Sequence, residues 1–192
     1  MRALPFLVAI LLGAGCSSED ISFRIPAGKH NGKPKNLTHL EIDGHFDRDM
    51  TFDVWFHTDT EYATVDPVNQ HDWNKVMGFT TTGIHENSLR LGWRYEPDTD
   101  QIELGYYGYL NGTRTSHQLT SVDFETWIPI EIEMWTTGMA VTADGEIYEL
   151  HEAIDMTFVI DDSTWALETI YFGGDETAPH EMHVDVRDIW VD

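Results

Sequence analysis

Residues 88–95 read Ser88-Leu89-Arg90-Leu91-Gly92-Trp93-Arg94-Tyr95. Leu89, Leu91, Trp93 and Tyr95 take every second position, with Ser88, Arg90, Gly92 and Arg94 between them. A period of two marks a strand with one face in a core, because successive side chains point to opposite faces of a sheet. The same alternation recurs on either side. Phe52, Val54 and Phe56 alternate with Asp53, Trp55 and His57, and Ile102, Leu104 and Tyr106 alternate with Glu103, Gly105 and Tyr107. Ile128, Ile130, Ile132 and Met134 alternate with Pro129, Glu131, Glu133 and Trp135. A first strand is expected at Ile21 to Ile25 and a last at His183 to Val191, where Asp188 interrupts the alternation and predicts a bulge. Asp43-Gly44, Asn111-Gly112, Asp144-Gly145 and Gly173-Gly174 supply turn chemistry between the runs. No window after residue 20 sustains a helical period over three turns. This many strands in about 170 residues predicts an all-β fold, a two-sheet antiparallel β-sandwich with jelly-roll topology.

The 192-residue length suits one domain. Asp and Glu number 34 against 11 Lys and Arg, a formal charge of −23. Such a surface repels nucleic acid and anionic lipid, and no basic stripe of the kind that tracks phosphates is present. The acid excess reads first as a solubility device. A single cysteine excludes an internal disulfide and any multi-cysteine metal site. Hydrophobic content of 41 %, with 12 % aromatic, is too rich for disorder and predicts a packed core.

Met1-Arg2 is a short positive start, Ala3 to Leu12 an apolar run, and Gly13-Ala14-Gly15 a small-residue segment directly before Cys16. The run is shorter than the ~20 residues a membrane-spanning helix needs and reads as a secretory signal. It resembles a bacterial lipoprotein lipobox, with Gly13 where Leu is usual. That resemblance implies a lipidated Cys16 as the first mature residue and anchorage to the membrane through that lipid alone. It also implies residence in the bacterial cell envelope, with Ser17-Ser18 favouring the outer membrane or cell surface. Loss of Arg2 shifts the side-chain balance to 10 − 34 = −24. The expected organisation is a signal over 1–15, a lipidated cysteine, tether and first strand over 16–38, and the sandwich over 39–192.

Several motifs carry less. Gly173-Gly174-Asp175-Glu176-Thr177 resembles the diguanylate cyclase signature, but that chemistry needs an α/β domain and a cytoplasmic nucleotide pool; a Gly-rich turn is the better reading. His180 and His183 form an H-x-x-H without a third ligand to complete a zinc site. Asp98, Asp100, Asp161 and Asp162 are oxygen donors of the type calcium takes, without EF-hand spacing, so the expectation is no cofactor, with calcium a minor alternative. Glu131 and Glu133 share one strand face, as glycosidase acids would, and as any solvent-facing polar row does.

The constellation with chemistry is Lys75, Ser88, Arg90, Tyr107 and Tyr109. Ser88, Arg90 and Arg94 share parity and face away from Leu89, Leu91 and Trp93; Tyr107 and Tyr109 face away from Ile102, Leu104 and Tyr106. If the two strands are neighbours, one face outside the core carries two guanidiniums and two phenols. Arg grips carboxylates in a bidentate fork, and aromatic rings stack on sugar faces. A Tyr beside cations can fall below its usual ~10 and transfer protons. Such a face suits an acidic polysaccharide.

Asn74-Lys75-Val76-Met77-Gly78-Phe79 is similar to the Gly-Lys-Leu-Pro-Gly-Leu strand of jelly-roll polysaccharide lyases, those of family 14 and the related glucuronan lyases. Ser88-Leu89-Arg90-Leu91-Gly92-Trp93-Arg94 resembles their Ser-x-Arg-x-x-Trp-Arg strand, and Tyr107-Gly108-Tyr109 their Tyr-x-Tyr. Trp127 with Ile128 to Met134, Asp144-Gly145 and Phe172-Gly173-Gly174 follow in the family's order, so the resemblance spans roughly 40–192. Departures are the missing glycine pair before Lys75, Met77 in place of Pro, and the extra Gly92. The resemblance implies a concanavalin A-like jelly roll and β-elimination on a uronate polymer such as alginate or a glucuronan. In that scheme Arg90, assisted by Arg94, neutralises the uronate carboxylate and acidifies the C5 proton. Lys75 or a tyrosine removes that proton, another tyrosine protonates the leaving oxygen, and Ser88 orients Arg90 or the substrate. Which group is base and which acid stays open. His85 and Asn87 are further substrate contacts. The alternative is a non-catalytic, lectin-like lipoprotein holding glycan on the same face, since one fold hosts both.

Charge is distributed to suit either reading. Three of the four lysines lie at 29–35, in the tether region, and Lys75 is the fourth. Residues 75–114 hold four basic residues (Lys75, Arg90, Arg94, Arg114) and five acids, 4 − 5 = −1, against a strongly negative remainder. Because salt screens charges beyond ~10 Å at 0.1 M, affinity for a polyanion is expected to depend on ionic strength, weakest at low salt.

Overall fold

The fold grows from its tight turns. Asn111 (φ 49°) and Gly112 (φ 77°) are both left-handed, as a type I′ hairpin requires, and they join β6 (Gln101–Leu110) to β7 (Thr113–Val122). Asp144 (φ 50°) and Gly145 (φ 82°) do the same between β9 (Gly138–Ala143) and β10 (Glu146–Leu150). The remaining strands are β1 (Ile21–Ile25), β2 (Lys33–Pro34), β3 (Arg48–Phe56), β4 (Asn74–Gly83), β5 (Asn87–Glu96), β8 (Trp127–Trp135), β11 (Trp165–Ala166) and β12 (Met182–Val191). Two short 3₁₀ turns, Thr58–Thr60 and Pro67–His71, are the other regular elements among the described residues. This computed structural model describes residues 20–34, 48–151, 165–166 and 170–191. The signal segment, Cys16, Asp43-Gly44, Asp161 and Asp162 lie outside them.

Among the described residues, all pairing between the strands is antiparallel, in two sheets. A seven-stranded sheet runs β10-β9-β8-β3-β12-β1-β2 and a five-stranded sheet runs β11-β4-β5-β6-β7. The expected all-β, two-sheet sandwich is what the chain adopts. β1 pairs along its whole length with β12, so the first strand belongs to the larger sheet. The bulge predicted at Asp188 is present: the register of β12 on β3 shifts between Arg187 and Trp190, and Asp188 has φ 51°.

The core is the space between the sheets, filled by the alternating sets. Leu89, Leu91 and Trp93 of β5 and Ile102, Leu104 and Tyr106 of β6 face Phe52, Val54 and Phe56 of β3, Ile128, Ile130 and Ile132 of β8, and Val184 and Val186 of β12; all are buried. Phe56 and Trp93 meet across the layer with ring centroids 5.2 Å apart. Because the core takes one parity of every strand, the other parity of β4 to β7 is left for a site.

Candidate functional site

The register of β5 on β6 sets Ser88 opposite Tyr109 and Arg90 opposite Tyr107, which places the four residues on one face as their parity required. Lys75 joins them from β4, opposite Gly92. Between Lys75 and Gly78 the β4–β5 register slips, and both Val76 and Met77 are buried, so the bulge keeps Lys75 on the outer face. Along the other edge of β4, Lys75 N donates to Tyr171 O and Tyr171 N donates to Lys75 O, both at 2.8 Å. Lys75 is thus held on two sides by backbone.

The side chains converge on the Tyr107 ring. Lys75 Nζ lies 4.5 Å from its centroid and Arg90 Cζ 5.2 Å, while Lys75 Nζ is also 5.2 Å from the Tyr171 ring. Tyr107 and Tyr109 meet edge to face at 6.1 Å. Lys75 and Arg90 are only 7 % and 8 % exposed, yet among the described residues neither has a carboxylate in ion-pair range. Arg90 Nε is buried without a hydrogen-bond acceptor. Burying unpaired charge is unfavourable, and the electrostatics register it. Burial, aided by the nearby charge of Arg90, lowers Lys75 to about 8, with Asp72 opposing. Burial likewise lowers Arg90, although a guanidinium stays charged.

Tyr107 departs from the sequence expectation. Burial and its hydrogen bond to Tyr109 raise it, outweighing the cations Arg90 and Arg114. Its hydroxyl therefore stays protonated at neutral pH, and Lys75 is the group poised to exchange a proton there.

The other predicted residues have definite places. Ser88 is fully buried, and its hydroxyl donates to Ile84 O at 2.8 Å, so it fixes the β4–β5 turn beside Arg90. Asn87 Oδ1 accepts from Asn111 N at 2.8 Å, tying that turn to the β6–β7 hairpin. His85 is exposed on the same turn, edge to face with Tyr109 at 5.1 Å. Arg94 is not brought into the group: its Nε donates to Glu103 at 2.6 Å, its Nη1 donates to His71 O at 2.8 Å, and it lies over the Trp73 ring at 4.3 Å.

Sequence reasoning missed Tyr171 and Trp73. Tyr171 precedes the Phe172-Gly173-Gly174 segment and reaches Lys75 only through pairing distant in sequence, so no local period reveals it. Trp73 lies over the paired Gly92 and Gly105, where an added Cβ would come within 3.0 Å and 2.6 Å of its indole. The extra Gly92 therefore clears floor space for the indole. That pair of glycines one residue apart from strand apolar positions was the available signal.

The weaker motifs are structural. Glu176, in the Gly-rich turn, accepts from Val65 N, Asp66 N and Asn69 Nδ2 at 2.8–2.9 Å and pins the loop that leads to Trp73. His180 and His183 both bond Asp59, at 2.8 Å and 2.6 Å. Asp100 accepts from the Tyr95 hydroxyl at 3.1 Å, and Glu131 and Glu133 lie on the outer side of the other sheet. Among the described residues, no three His, Cys, Asp or Glu side chains are grouped to hold a metal ion.

No protein-family model matches this chain, and no curated protein matches it in sequence. Solved structures do match in fold. The alginate lyase vAL-1 from Chlorella virus is similar over 93 % of this chain and 88 % of its own, with a TM-score of 0.55 at 10 % identity. The alginate lyase AlyC3, in complex with dimannuronate, is similar over 91 % and 74 %, with a TM-score of 0.53 at 10 % identity. The alginate lyase from Klebsiella pneumoniae is similar over 76 % and 59 %, with a TM-score of 0.52 at 9 % identity. The chain therefore has the jelly-roll sandwich that these lyases share, at identities that speak to fold alone.

Proposed function

We propose that the Lys75–Arg90–Tyr107 face binds a uronate of an acidic polysaccharide and breaks the chain by β-elimination. The observation that carries this reading is the pair of buried cations, Lys75 and Arg90, with no carboxylate partner among the described residues and an Arg90 Nε without an acceptor. A buried guanidinium without a partner is an anion site, the adjacent Lys75, whose ammonium burial disfavours, is a proton acceptor beside it, and flanking phenols suit a sugar. The likeness to alginate lyases in fold supports the class of polymer.

The roles follow from the protonation states. Arg90 pairs with the uronate carboxylate and stabilises the charge that develops on it. Lys75, lowered to about 8, takes the C5 proton as a neutral amine. The released electron pair forms the C4–C5 double bond as the C4–O bond breaks, and the leaving oxygen takes the Tyr107 proton. Tyr109, hydrogen-bonded to Tyr107, positions its hydroxyl. Ser88 positions Arg90 by holding the adjoining turn. We assign the protein to the cell envelope as a lipoprotein anchored at Cys16, a reading that rests on residues 1–18 of the sequence.

The test is incubation with alginate, glucuronan and pectate while following the ultraviolet absorbance of the new double bond. Absorbance that depends on Lys75 supports the lyase. Binding of a polyuronate without any absorbance would establish the lectin-like alternative, and absence of both would refute the site.

A further inference from the structure

The turn over residues 26–34 runs from the edge of the seven-stranded sheet, where Lys33 stands opposite Arg24, to the open edge beside β4. Gly32 N donates to Ile170 O at 2.7 Å, Phe172 N donates to His30 O at 2.7 Å, and Ala178 N donates to Lys29 O at 3.0 Å. Asn31 bridges Tyr171, which in turn bridges Lys75, so this turn forms an outer rung beyond β4. His30 Nδ1 donates to Phe172 O at 2.9 Å, and its ring stacks on Tyr171 at 5.2 Å with an interplanar angle of 9°. Tyr171 therefore has Lys75 on one side and His30 on another. His30 also lines a cleft of about 690 Å³, together with Arg24, Lys29, Lys33, Pro26 and Pro34. Arg24 pairs with Glu181, whereas Lys29 and Lys33 are exposed and among the described residues have no ion-pair partner.

We infer that this turn is a second binding element for the acidic polysaccharide, with His30 and Tyr171 as an aromatic step and Lys29 and Lys33 as contacts for a further uronate carboxylate. The inference rests on the reading of Lys75 and Arg90 as a uronate site. Lys75 Nζ lies 4.5 Å from the Tyr107 ring and 5.2 Å from the Tyr171 ring, and His30 stacks 5.2 Å beyond, so the His30 ring is within about 15 Å of Tyr107, with Lys29 and Lys33 in the cleft past it. A disaccharide seated on Tyr107 does not reach the cleft beyond His30, whereas a hexasaccharide does. Two cationic contacts at the rim of a strongly acidic protein also draw a polyanion toward the groove.

The experiment measures affinities of dimannuronate and hexamannuronate for the full chain and for a Lys29→Gln/Lys33→Gln variant, with oligoglucuronates of the same lengths as a second series. These lysines are exposed, so the variant keeps the fold; His30→Ala is compared separately because it also loses the bond to Phe172. The expected result is a preference of the wild type for the hexamer that falls about five-fold in the double variant. An unaltered hexamer-to-dimer ratio would overturn the inference while leaving the uronate site intact. Arg90→Gln separates the two: it weakens both lengths together, and if it weakens neither, the uronate site falls and this inference with it.

Discussion

The outward faces of the two sheets treat their cations in opposite ways. On the seven-stranded sheet Arg187 is tied to Asp53 at 3.0 Å and covers the Trp127 ring at 4.1 Å, and His57 bonds Asp185 at 2.8 Å. On the five-stranded sheet Arg94 is similarly paired with Glu103, yet Arg90 on the same strand and Lys75 on the next are left facing aromatic rings. Both faces have the same origin, the non-core parity of alternating strands. What separates them is whether the opposite strand supplies a carboxylate: Asp53 stands opposite Arg187, whereas Tyr107 stands opposite Arg90. A cation that finds its partner inside the fold contributes to stability, and one that does not awaits a ligand.

The strongest way to break this contrast is to remove the unpaired cations. Lys75→Met should abolish cleavage, a loss of at least about 10²-fold in kcat, while leaving thermal stability equal or higher, because an unpaired buried charge disappears. A stopped assay with an equal loss of Tm would instead make Lys75 a structural residue. The pH profile is the next largest effect. Below pH 8 the rate should fall about ten-fold per unit as the Lys75 amine protonates. Stability moves the same way: the folded value, about 8, lies under the unfolded ~10.4, so between them the unfolded chain holds more protons and stability rises with pH. Titrating the unfolding midpoint of wild type against Lys75→Met from pH 7 to 10 checks the sign, since only the wild type should show this rise.

A smaller effect is expected where the two faces are shaped rather than charged. Gly105→Val should lift the Trp73 indole, cost about 1–3 kcal/mol through overpacking and weaken glycan binding by raising the floor that the indole forms over Gly92, opposite Lys75. Because the chain has seven tryptophans, the fluorescence difference against the same variant carrying Trp73→Phe reports whether the indole has moved. On the opposite face, Arg187→Ala should cost about 1 kcal/mol or less and leave cleavage as it was, because that pair is partly solvated. A large loss of activity in that variant would contradict the separation of the faces. The least effect is ionic: affinity for a polyuronate should be weakest at low salt, where the repulsion of a −23 chain is unscreened, and titration calorimetry between 10 and 150 mM salt measures it.

Much of the site was legible because parity is a local property. The alternation of Leu89, Leu91 and Trp93 already puts Ser88 and Arg90 outside the core, and Tyr107 and Tyr109 follow by the same count on β6. The Asn111-Gly112 and Asp144-Gly145 hairpins were equally readable, since left-handed dihedrals favour those residues whatever the rest of the chain does. Arg94 shows the limit of parity: it shares the face of Arg90 but meets Glu103, and a count along one strand does not see its neighbour.

What the amino-acid order determined by itself was therefore the β-sandwich, its turns and the face on which each strand side chain lies, because these depend on a period of two and on single-residue dihedrals. Tertiary structure alone decided which faces become neighbours. It brought Tyr171 and His30 to Lys75 across more than 40 residues of chain by edge pairing, and it seated Trp73 on the glycines. It also decided protonation. The sequence placed cations beside Tyr107 and so predicted a lowered phenol, but burial raised it and lowered Lys75 instead. Desolvation is set by everything packed around a group, and no stretch of sequence carries that sum.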